Sequence, residues 1–239
     1  MRIDTNSLPP VESLLSPIRH STQPWLTWYS ISGERVELSG RVFDNWVAKS
    51  ANLLSEEFDL DQESIVAIDM AGHWKSLALA LACWHLGTEV RCIAPGQNPG
   101  KVDLVVTANP ETLNAEKSVE VLVVPLPSLA MSFDGQLPVG ATDFASEVRA
   151  YADSFFPSPI DVSGIALSTR ESQLSFSELF VPANRASGTT LTSTIHSLEQ
   201  LIPLVVGLWA QGDSVVLIED GVAVTPRLLE GERIINTIE

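Results

Sequence analysis

The sequence predicts an α/β fold with a mostly parallel, layered sheet and helices on both faces. One observation is the apolar segment SIVAIDM at 64–70, which is typical of a strand buried on both faces. A second is the alternation of strands and helices that follows it, because strand–helix–strand units with right-handed crossovers build parallel sheets. A third is a hydrophobic share of 45% in 239 residues, which is enough to form a sizeable core.

The N-terminal segment predicts one short helix, two strands and one long helix. The short helix is expected at 7–20, where two prolines precede apolar residues at helical spacing. Strands are expected at 25–30 and 35–38, on either side of a turn at Gly33. Ser39 can cap the long helix that follows, in which apolar residues recur every three or four positions.

After the strand at 64–70, the sequence predicts a buried helix and three further strands. The helix at 71–87 is apolar nearly all round, and Gly87 is a natural C-terminal stop. The strands are expected at 89–95, 102–108 and 119–126, with a helix after Asn109. Residues 127–142 contain Gly and Pro and read as a connector. We therefore expect a single domain over 1–239, with an internal boundary in this connector as the alternative.

The C-terminal segment continues the alternation of helices and strands. An amphipathic helix is expected at 143–157, followed by a strand at 163–169, a helix from 175 to the proline at 182, and a strand at 189–194. A long apolar helix follows at 196–212, which Pro203 is expected to kink or to start later. Asp220 and Gly221 lie between two β-rich segments and predict a hairpin.

Composition argues against several classes of partner and compartment. The chain has 14 basic and 30 acidic residues, a net charge of −16, and no basic patch, so we expect neither nucleic-acid binding nor attraction to anionic membranes. Cys83 and Cys92 lie in apolar segments and are expected to be buried free thiols. No signal peptide is recognisable and the longest apolar helix is too short for a bilayer. The prediction is a cytoplasmic protein without membrane insertion.

Common catalytic and metal-binding motifs are absent from the sequence. There is no dinucleotide, Walker or nucleophile-elbow motif. Asp59, Asp61 and Glu63 alternate as in a calcium loop, but the required Gly and distal Glu are missing, so a polar loop is expected. His73 and His85 are assigned helix-end or packing roles. No catalytic residue and no metal ligand is predicted.

Three segments resemble the N-terminal region of the adenylate-forming superfamily, the AMP-binding and acyl-CoA synthetase-like enzymes. They are SIVAIDMAGHWKSLALALACWHLGTEVRCIAP, KVDLVVTANPETL and LTSTIHSLEQLIPLVVGLWAQGDSVVLIED. The chain is also similar to a family of uncharacterised actinobacterial proteins that resemble truncated versions of such enzymes. The resemblance implies the N-terminal part of the acyl-CoA synthetase fold.

The resemblance also implies where a phosphate loop would lie. Ser187-Gly188-Thr189-Thr190 is similar to the start of that loop. In the family's order of elements, however, this segment falls at the strand before the family's histidine, which comes after the loop. The loop position falls at 168–171. The glycine-rich body and the lysines of the family are missing there, since Lys117 is the last lysine. His196 matches the family's histidine at the substrate tunnel. The resemblance therefore assigns ligand binding to Ser168, Thr169, Arg170 and His196.

Three functions are consistent with these residues. The first is a non-catalytic binding or interaction module, which makes an enzyme the less favoured expectation. The second is a residual nucleotide- or acyl-binding protein that uses the four candidate residues, with ATP, AMP or CoA implied by the resemblance alone. The third is an adenylate-forming enzyme completed by another chain. An exposed apolar patch covered by an unknown partner or by a homodimer would favour the third.

Overall fold

The computed structural model describes residues 6–116, 118–193 and 197–238. The α-helices in these ranges are α1 (Pro10–Leu15), α2 (Gly40–Phe58), α3 (Trp74–Leu86), α4 (Phe144–Glu147), α5 (Phe176–Leu179), α6 (Leu198–Ala210) and α7 (Pro226–Gly231). The strands are β1 (Asn6–Ser7), β2 (Pro24–Tyr29), β3 (Arg35–Ser39), β4 (Ile65–Asp69), β5 (Glu89–Cys92), β6 (Leu104–Thr107), β7 (Glu120–Val123), β8 (Thr142–Asp143), β9 (Ile160–Asp161), β10 (Ile165–Ser168), β11 (Gln173–Ser175), β12 (Thr190–Ser193), β13 (Val215–Ile218) and β14 (Asn236–Ile238). None of the helices in these ranges is long and apolar enough to cross a lipid bilayer.

Most strands belong to two mixed sheets in which parallel pairing dominates. The larger sheet has the order β11-β10-β5-β4-β6-β7-β8, and β10–β11 is its antiparallel pair. The smaller sheet has the order β14-β12-β13-β2-β3, and β2–β3 is its antiparallel pair. Strands β1 and β9 form a separate antiparallel pair. The predicted mostly parallel α/β fold with flanking helices is confirmed.

The two sheets share one hydrophobic core. Alternate residues of β4 point to opposite faces, so Val66 and Ile68 join the large core while Ala67 joins a smaller cluster on the outer face. In the smaller sheet, Val215 and Leu217 of β13 point into the same large core. Helices α2, α3 and α6 contribute to this core as well, and every residue of α3 from 74 to 85 is buried. The helices therefore fill the space that both sheets face.

Local signals placed the ends of the two longest N-terminal helices correctly. The Ser39 hydroxyl accepts a hydrogen bond from the Val42 amide, so Ser39 caps α2 as predicted. Gly87 ends α3 with a left-handed φ of 80°, where a Cβ would lie 2.7 Å from Ile160 Cγ2. Pro203 lies inside α6, which begins before it and continues to Ala210, so the proline does not delay the start of the helix.

Two predicted helices are shorter than expected. After Asn109 the chain forms only the 3-10 turn Pro110–Thr112. The predicted helix at 143–157 ends as α4 and the 3-10 turn Val148–Ala150. The reason lies in α2, because Asn52 Nδ2 donates to the carbonyls of Ala152 at 2.9 Å and Ser154 at 3.0 Å. These carbonyls accept hydrogen bonds from this side chain instead of from the backbone amides of a continuing helix.

The hairpin predicted around Asp220-Gly221 is wrong. Only the first of its two segments, β13, is a strand. Strand β13 lies between β12 and β2 in the smaller sheet, so both of its hydrogen-bonding edges are occupied. The second segment has no edge to pair with, and the chain turns into α7 at Pro226. The single domain expected over 1–239, with an internal boundary at 127–142 as the alternative, stays a prediction.

Candidate functional site

A cavity of about 420 Å³ lies at the carboxyl ends of β4, β5 and β10, beside the start of α6. Strands β10, β5 and β4 are neighbours in the larger sheet, so the residues that follow them come together in the wall of this cavity. Open α/β sheets bind ligands outside the carboxyl ends of their strands. The cavity is lined by Met70, Ala71, Gly72, Cys92, Ile93, Ala94, Pro95, Gln97, Arg170, Glu171, Ser197, Leu198 and Glu199. We call it the sheet-edge cavity.

The sheet-edge cavity combines apolar and charged lining groups. Cys92, Ile93 and Leu198 are largely buried and give it an apolar wall. Burial, with Glu199 nearby, raises the pKa of the Cys92 thiol to about 12, so this thiol stays protonated near neutral pH. Among the described lining residues, Arg170 is the one cation, and it is accompanied by Glu171 and Glu199.

Ser168, the first predicted ligand-binding residue, is occupied by a contact inside the protein. Its hydroxyl donates to Glu89 Oε1 at 2.7 Å and accepts from Gln173 Nε2 at 3.3 Å. The residue is buried and is not among those that line the sheet-edge cavity. The side chain therefore joins β10 to its two neighbouring strands, β5 and β11.

Thr169, the second predicted residue, closes the turn between β10 and β11. Its Oγ1 accepts hydrogen bonds from the amides of Glu171 at 3.2 Å and Ser172 at 3.0 Å. Its own amide donates to the Ser172 carbonyl at 2.8 Å. Two backbone amides of the turn are thus directed at one hydroxyl within the turn, and Thr169 does not line the cavity.

Of the four predicted residues, the structure brings Arg170 to the sheet-edge cavity. His196 lies outside the described residues, while its neighbour Ser197 lines the cavity. The Ser187–Thr190 segment leads into the amino end of β12, where the Gly188 amide donates to Asp213 Oδ1 at 2.8 Å. The cavity lies at the other end of β12, next to the start of α6, which agrees with reading Ser187–Thr190 as a chance likeness.

Asp69 is a buried acid at the edge of this site that was not predicted. It ends β4, directly before cavity residue Met70, and is only 3% exposed. The Thr107 hydroxyl donates to its Oδ2 at 3.2 Å. Burial raises the pKa of this carboxyl. The sequence signal was a single acid at the end of an otherwise apolar strand.

Solved structures with the same fold are acyl-CoA synthetases. The Brucella canis acyl-CoA synthetase matches with a TM-score of 0.81 and 18% identity, over 98% of this chain and 47% of its own. The acetoacetyl-CoA synthetase of Streptomyces lividans matches with a TM-score of 0.71 and 13% identity, over 96% of this chain and 42% of its own. The fatty acyl CoA synthetase of Mycobacterium tuberculosis matches with a TM-score of 0.65 and 12% identity, over 98% of this chain and 49% of its own. The chain therefore has the fold of the N-terminal part of acyl-CoA synthetases, as the resemblance implied.

One curated protein is similar to this chain in sequence as well. The chain is 34% identical over 140 residues to the "TIGR03089 family protein" of Mycobacterium tuberculosis strain H37Rv, an actinobacterium. The match covers 56% of this chain and 56% of the relative, so the chain spans about half the length of the proteins that it matches. No protein-family model matches the sequence. The expected similarity to an uncharacterised actinobacterial family is confirmed.

Proposed function

We propose that this chain is a non-catalytic binding module that keeps the acyl-CoA synthetase-like fold without forming adenylates. The observation that carries the proposal is the turn between β10 and β11, at the position of the family's phosphate loop. A phosphate loop binds its anion through backbone amides that point at the ligand. Here the amides of Glu171 and Ser172 donate to Thr169 Oγ1 instead. Rearranging the turn to bind phosphate would break both bonds.

The charges around the turn support the same proposal. Adenylate formation places additional negative charge on the reacting phosphate, and enzymes stabilise it with cations and oriented amides. The described lining of the sheet-edge cavity offers one cation, Arg170, beside the carboxylates of Glu171 and Glu199. At neutral pH these three groups sum to one negative charge, which repels a polyphosphate.

A small apolar carboxylic acid is the ligand class that suits the sheet-edge cavity best. The apolar wall formed by Cys92, Ile93 and Leu198 can take a hydrocarbon body, and the Arg170 guanidinium can bind one carboxylate through two hydrogen bonds. Arg170 has no ion-pair partner among the described residues, so its guanidinium is available to one carboxylate, while the two glutamates repel a ligand with several negative charges. Binding of such an acid without its activation is therefore the specific form of the proposed function.

ATP–pyrophosphate exchange tests the non-catalytic part of the proposal. The purified chain is incubated with Mg-ATP, labelled pyrophosphate and a panel of short and medium-chain carboxylic acids. We expect exchange no faster than in samples without protein. Exchange that depends on both the protein and one of the acids would overturn the proposal. Exchange that appears only after a second protein chain is added would favour an enzyme completed by a partner.

Thermal unfolding with the same acids tests the binding part. A ligand present at a hundred times its dissociation constant stabilises the folded state by about 2.7 kcal/mol. We expect stabilisation by at least one acid, with affinity reduced about tenfold or more in Arg170→Ala, because a charge-assisted hydrogen bond is lost. Arg227→Ala removes an exposed arginine of α7 that does not line the cavity and is the matched control. Equal binding by both variants would refute the role of Arg170.

A further inference from the structure

A second cavity, larger than the first, lies at the opposite end of α3. It measures about 590 Å³ and is enclosed by α1, α2, the C-terminal end of α3 and the segment 153–157. Gly72, just before α3, lines the sheet-edge cavity, whereas His85, in the last turn of α3, lines the second cavity. At a rise of 1.5 Å per residue, the two lie about 20 Å apart along the helix. We call the second one the His85 cavity.

One arginine and two carboxylates form an ionic cluster in the wall of the His85 cavity. Arg19 donates to both carboxylate oxygens of Glu12, at 2.9 and 3.0 Å, and through Nε to Asp44 Oδ2 at 3.0 Å. The side chains of Glu12 and Asp44 are only 20% and 7% exposed. Because one guanidinium faces two carboxylates, the cluster has an excess of one negative charge in poorly hydrated surroundings.

The other ionisable groups of the lining do not cancel this excess. Arg41 and Asp153 are exposed and carry opposite charges, which balance at neutral pH. His20 is exposed in the same lining. The three carboxylates and two arginines of the lining therefore sum to one negative charge. A ligand with one positive charge would neutralise it, whereas an anion would have to displace Glu12 or Asp44 from Arg19.

His85 lies in the same lining and contains an unpartnered polar atom. The residue is 3% exposed, and its Nδ1 has no hydrogen-bond partner among the described residues. Buried polar groups are nearly always hydrogen-bonded, and leaving one without a partner costs free energy. Burial lowers the pKa of His85 to about 4, so the ring is neutral at pH 7 and has one nitrogen that can accept a hydrogen bond.

Aromatic rings beside the ionic cluster can hold an apolar body. Phe155 packs edge-on against His85, with ring centroids 5.4 Å apart. Phe156 follows it in the lining and is 88% exposed, which is unusual for a phenylalanine. An apolar group in the cavity, in contact with these side chains, would bury surface that the described residues leave in water.

We propose that the His85 cavity binds a small organic cation with a protonated amine and an aromatic or apolar body. The ammonium group lies against Glu12 and Asp44, and the body lies against Phe155 and Phe156. His85, packed edge-on against Phe155, lines the same cavity. This site is separate from the sheet-edge cavity and does not depend on the function proposed for it.

Three probes of the same shape and different charge test the proposal. Phenethylamine, 2-phenylethanol and 3-phenylpropionate carry the same ring with a cationic, neutral and anionic end. Isothermal titration at low salt and pH 7 is expected to give saturable binding of the amine. The alcohol should bind about tenfold more weakly or worse, since it lacks the charge-assisted hydrogen bond. The anion should not bind measurably.

Variants of the ionic cluster locate the amine site. Asp44→Asn is expected to lower the affinity for phenethylamine about tenfold or more, because a charged acceptor becomes neutral. If Asp44→Asn does not fold, Glu12→Gln replaces it, because this carboxylate is more exposed. Glu12→Gln is also expected to lower the affinity for phenethylamine. Glu37→Gln alters another arginine-paired glutamate, on β3, and should bind like the parent chain. Equal affinity for amine and alcohol, no binding of the amine, or unchanged binding in both cluster variants would overturn the proposal.

Discussion

His73 caps α3 in a way that requires an unprotonated ring, and this predicts a specific loss of stability in acid. Its Nδ1 accepts a hydrogen bond from the Lys75 amide at 3.1 Å, and its ring packs against Trp28 with centroids 4.7 Å apart. Burial and the nearby Lys75 charge lower the pKa of His73 from 6.5 to about 3. Protonation of Nδ1 would break the cap and place a charge in the core.

The sign and size of the effect follow from proton linkage. Below pH 6.5 the unfolded chain binds a proton at residue 73 and the folded chain does not, so acid favours unfolding until the pH approaches the folded pKa. Each pH unit in that window costs about 1.4 kcal/mol per histidine. Between pH 7.5 and pH 5, His73 alone should therefore lower the free energy of unfolding by about 2 kcal/mol. His85, with a folded pKa of about 4, acts in the same direction.

The variant His73→Asn isolates this contribution. Asparagine is a good N-cap residue and does not titrate, so the cap can be kept while the proton-binding ring is removed. Urea unfolding at pH 7.5 and pH 5 gives the pH-dependent loss for each protein. We expect the loss to be smaller by about 2 kcal/mol in His73→Asn than in the parent chain. Loss of ring packing lowers stability at both pH values and cancels in this difference.

The same substitution at exposed His20 is the matched control and should keep the loss seen in the parent chain. An equal loss in the parent and His73→Asn proteins would refute the assignment of a neutral, capping His73. A larger loss in the variant would refute it as well, because it would mean that the ring protects the fold in acid.

Two further predictions concern stability at neutral pH, both measured by urea unfolding. Trp84→Phe should cost about 1–2 kcal/mol more than Trp74→Phe, because Trp84 Nε1 donates to the Ala166 carbonyl at 2.7 Å, whereas the equally buried Trp74 Nε1 has no partner among the described residues. Equal losses would show that the Trp84 hydrogen bond adds nothing to packing. Gly87→Ala should destabilise more than Gly33→Ala by about 1–3 kcal/mol, since both have a left-handed φ but only at Gly87 would the Cβ meet a neighbour, Ile160. A Gly33→Ala loss as large as that of Gly87→Ala would contradict the clash.

The parts of the fold that the sequence predicted are those determined by nearby residues. Ser39 caps α2 and Gly87 ends α3 through contacts within a few positions, so local patterns were sufficient. The helix expected at 143–157 is shorter than predicted, and Asn52 donates to the Ala152 carbonyl within that segment. Asn52 lies 100 positions earlier in the chain. The hairpin failed because β12 and β2 already occupy both edges of β13. Pairings of this range leave no trace in a local pattern.

In the candidate site too, the sequence indicated what nearby residues determine and missed what distant contacts determine. The resemblance placed the loop position at 168–171, and Arg170 does line the sheet-edge cavity. It could not reveal that Ser168 is bound to Glu89, 79 positions earlier, or that Thr169 Oγ1 holds the turn amides. The His85 cavity was missed because its ionic cluster joins Arg19, which follows α1, to Asp44 of α2, 25 positions later, while His85 alone was interpreted as a packing residue.

Helix α3 gives the two proposed sites their common framework and also keeps them independent. Every residue from Trp74 to His85 is buried, and the helix is fixed by the His73 cap at one end and by Gly87 at the other. Moving α3 to open or close either cavity would disturb its contacts with α1, α2 and β5, and close-packed interiors resist such shifts. Both cavities are therefore formed before a ligand arrives. A carboxylic acid at one end and an amine at the other should then bind additively, and strong coupling between them would show that α3 is mobile.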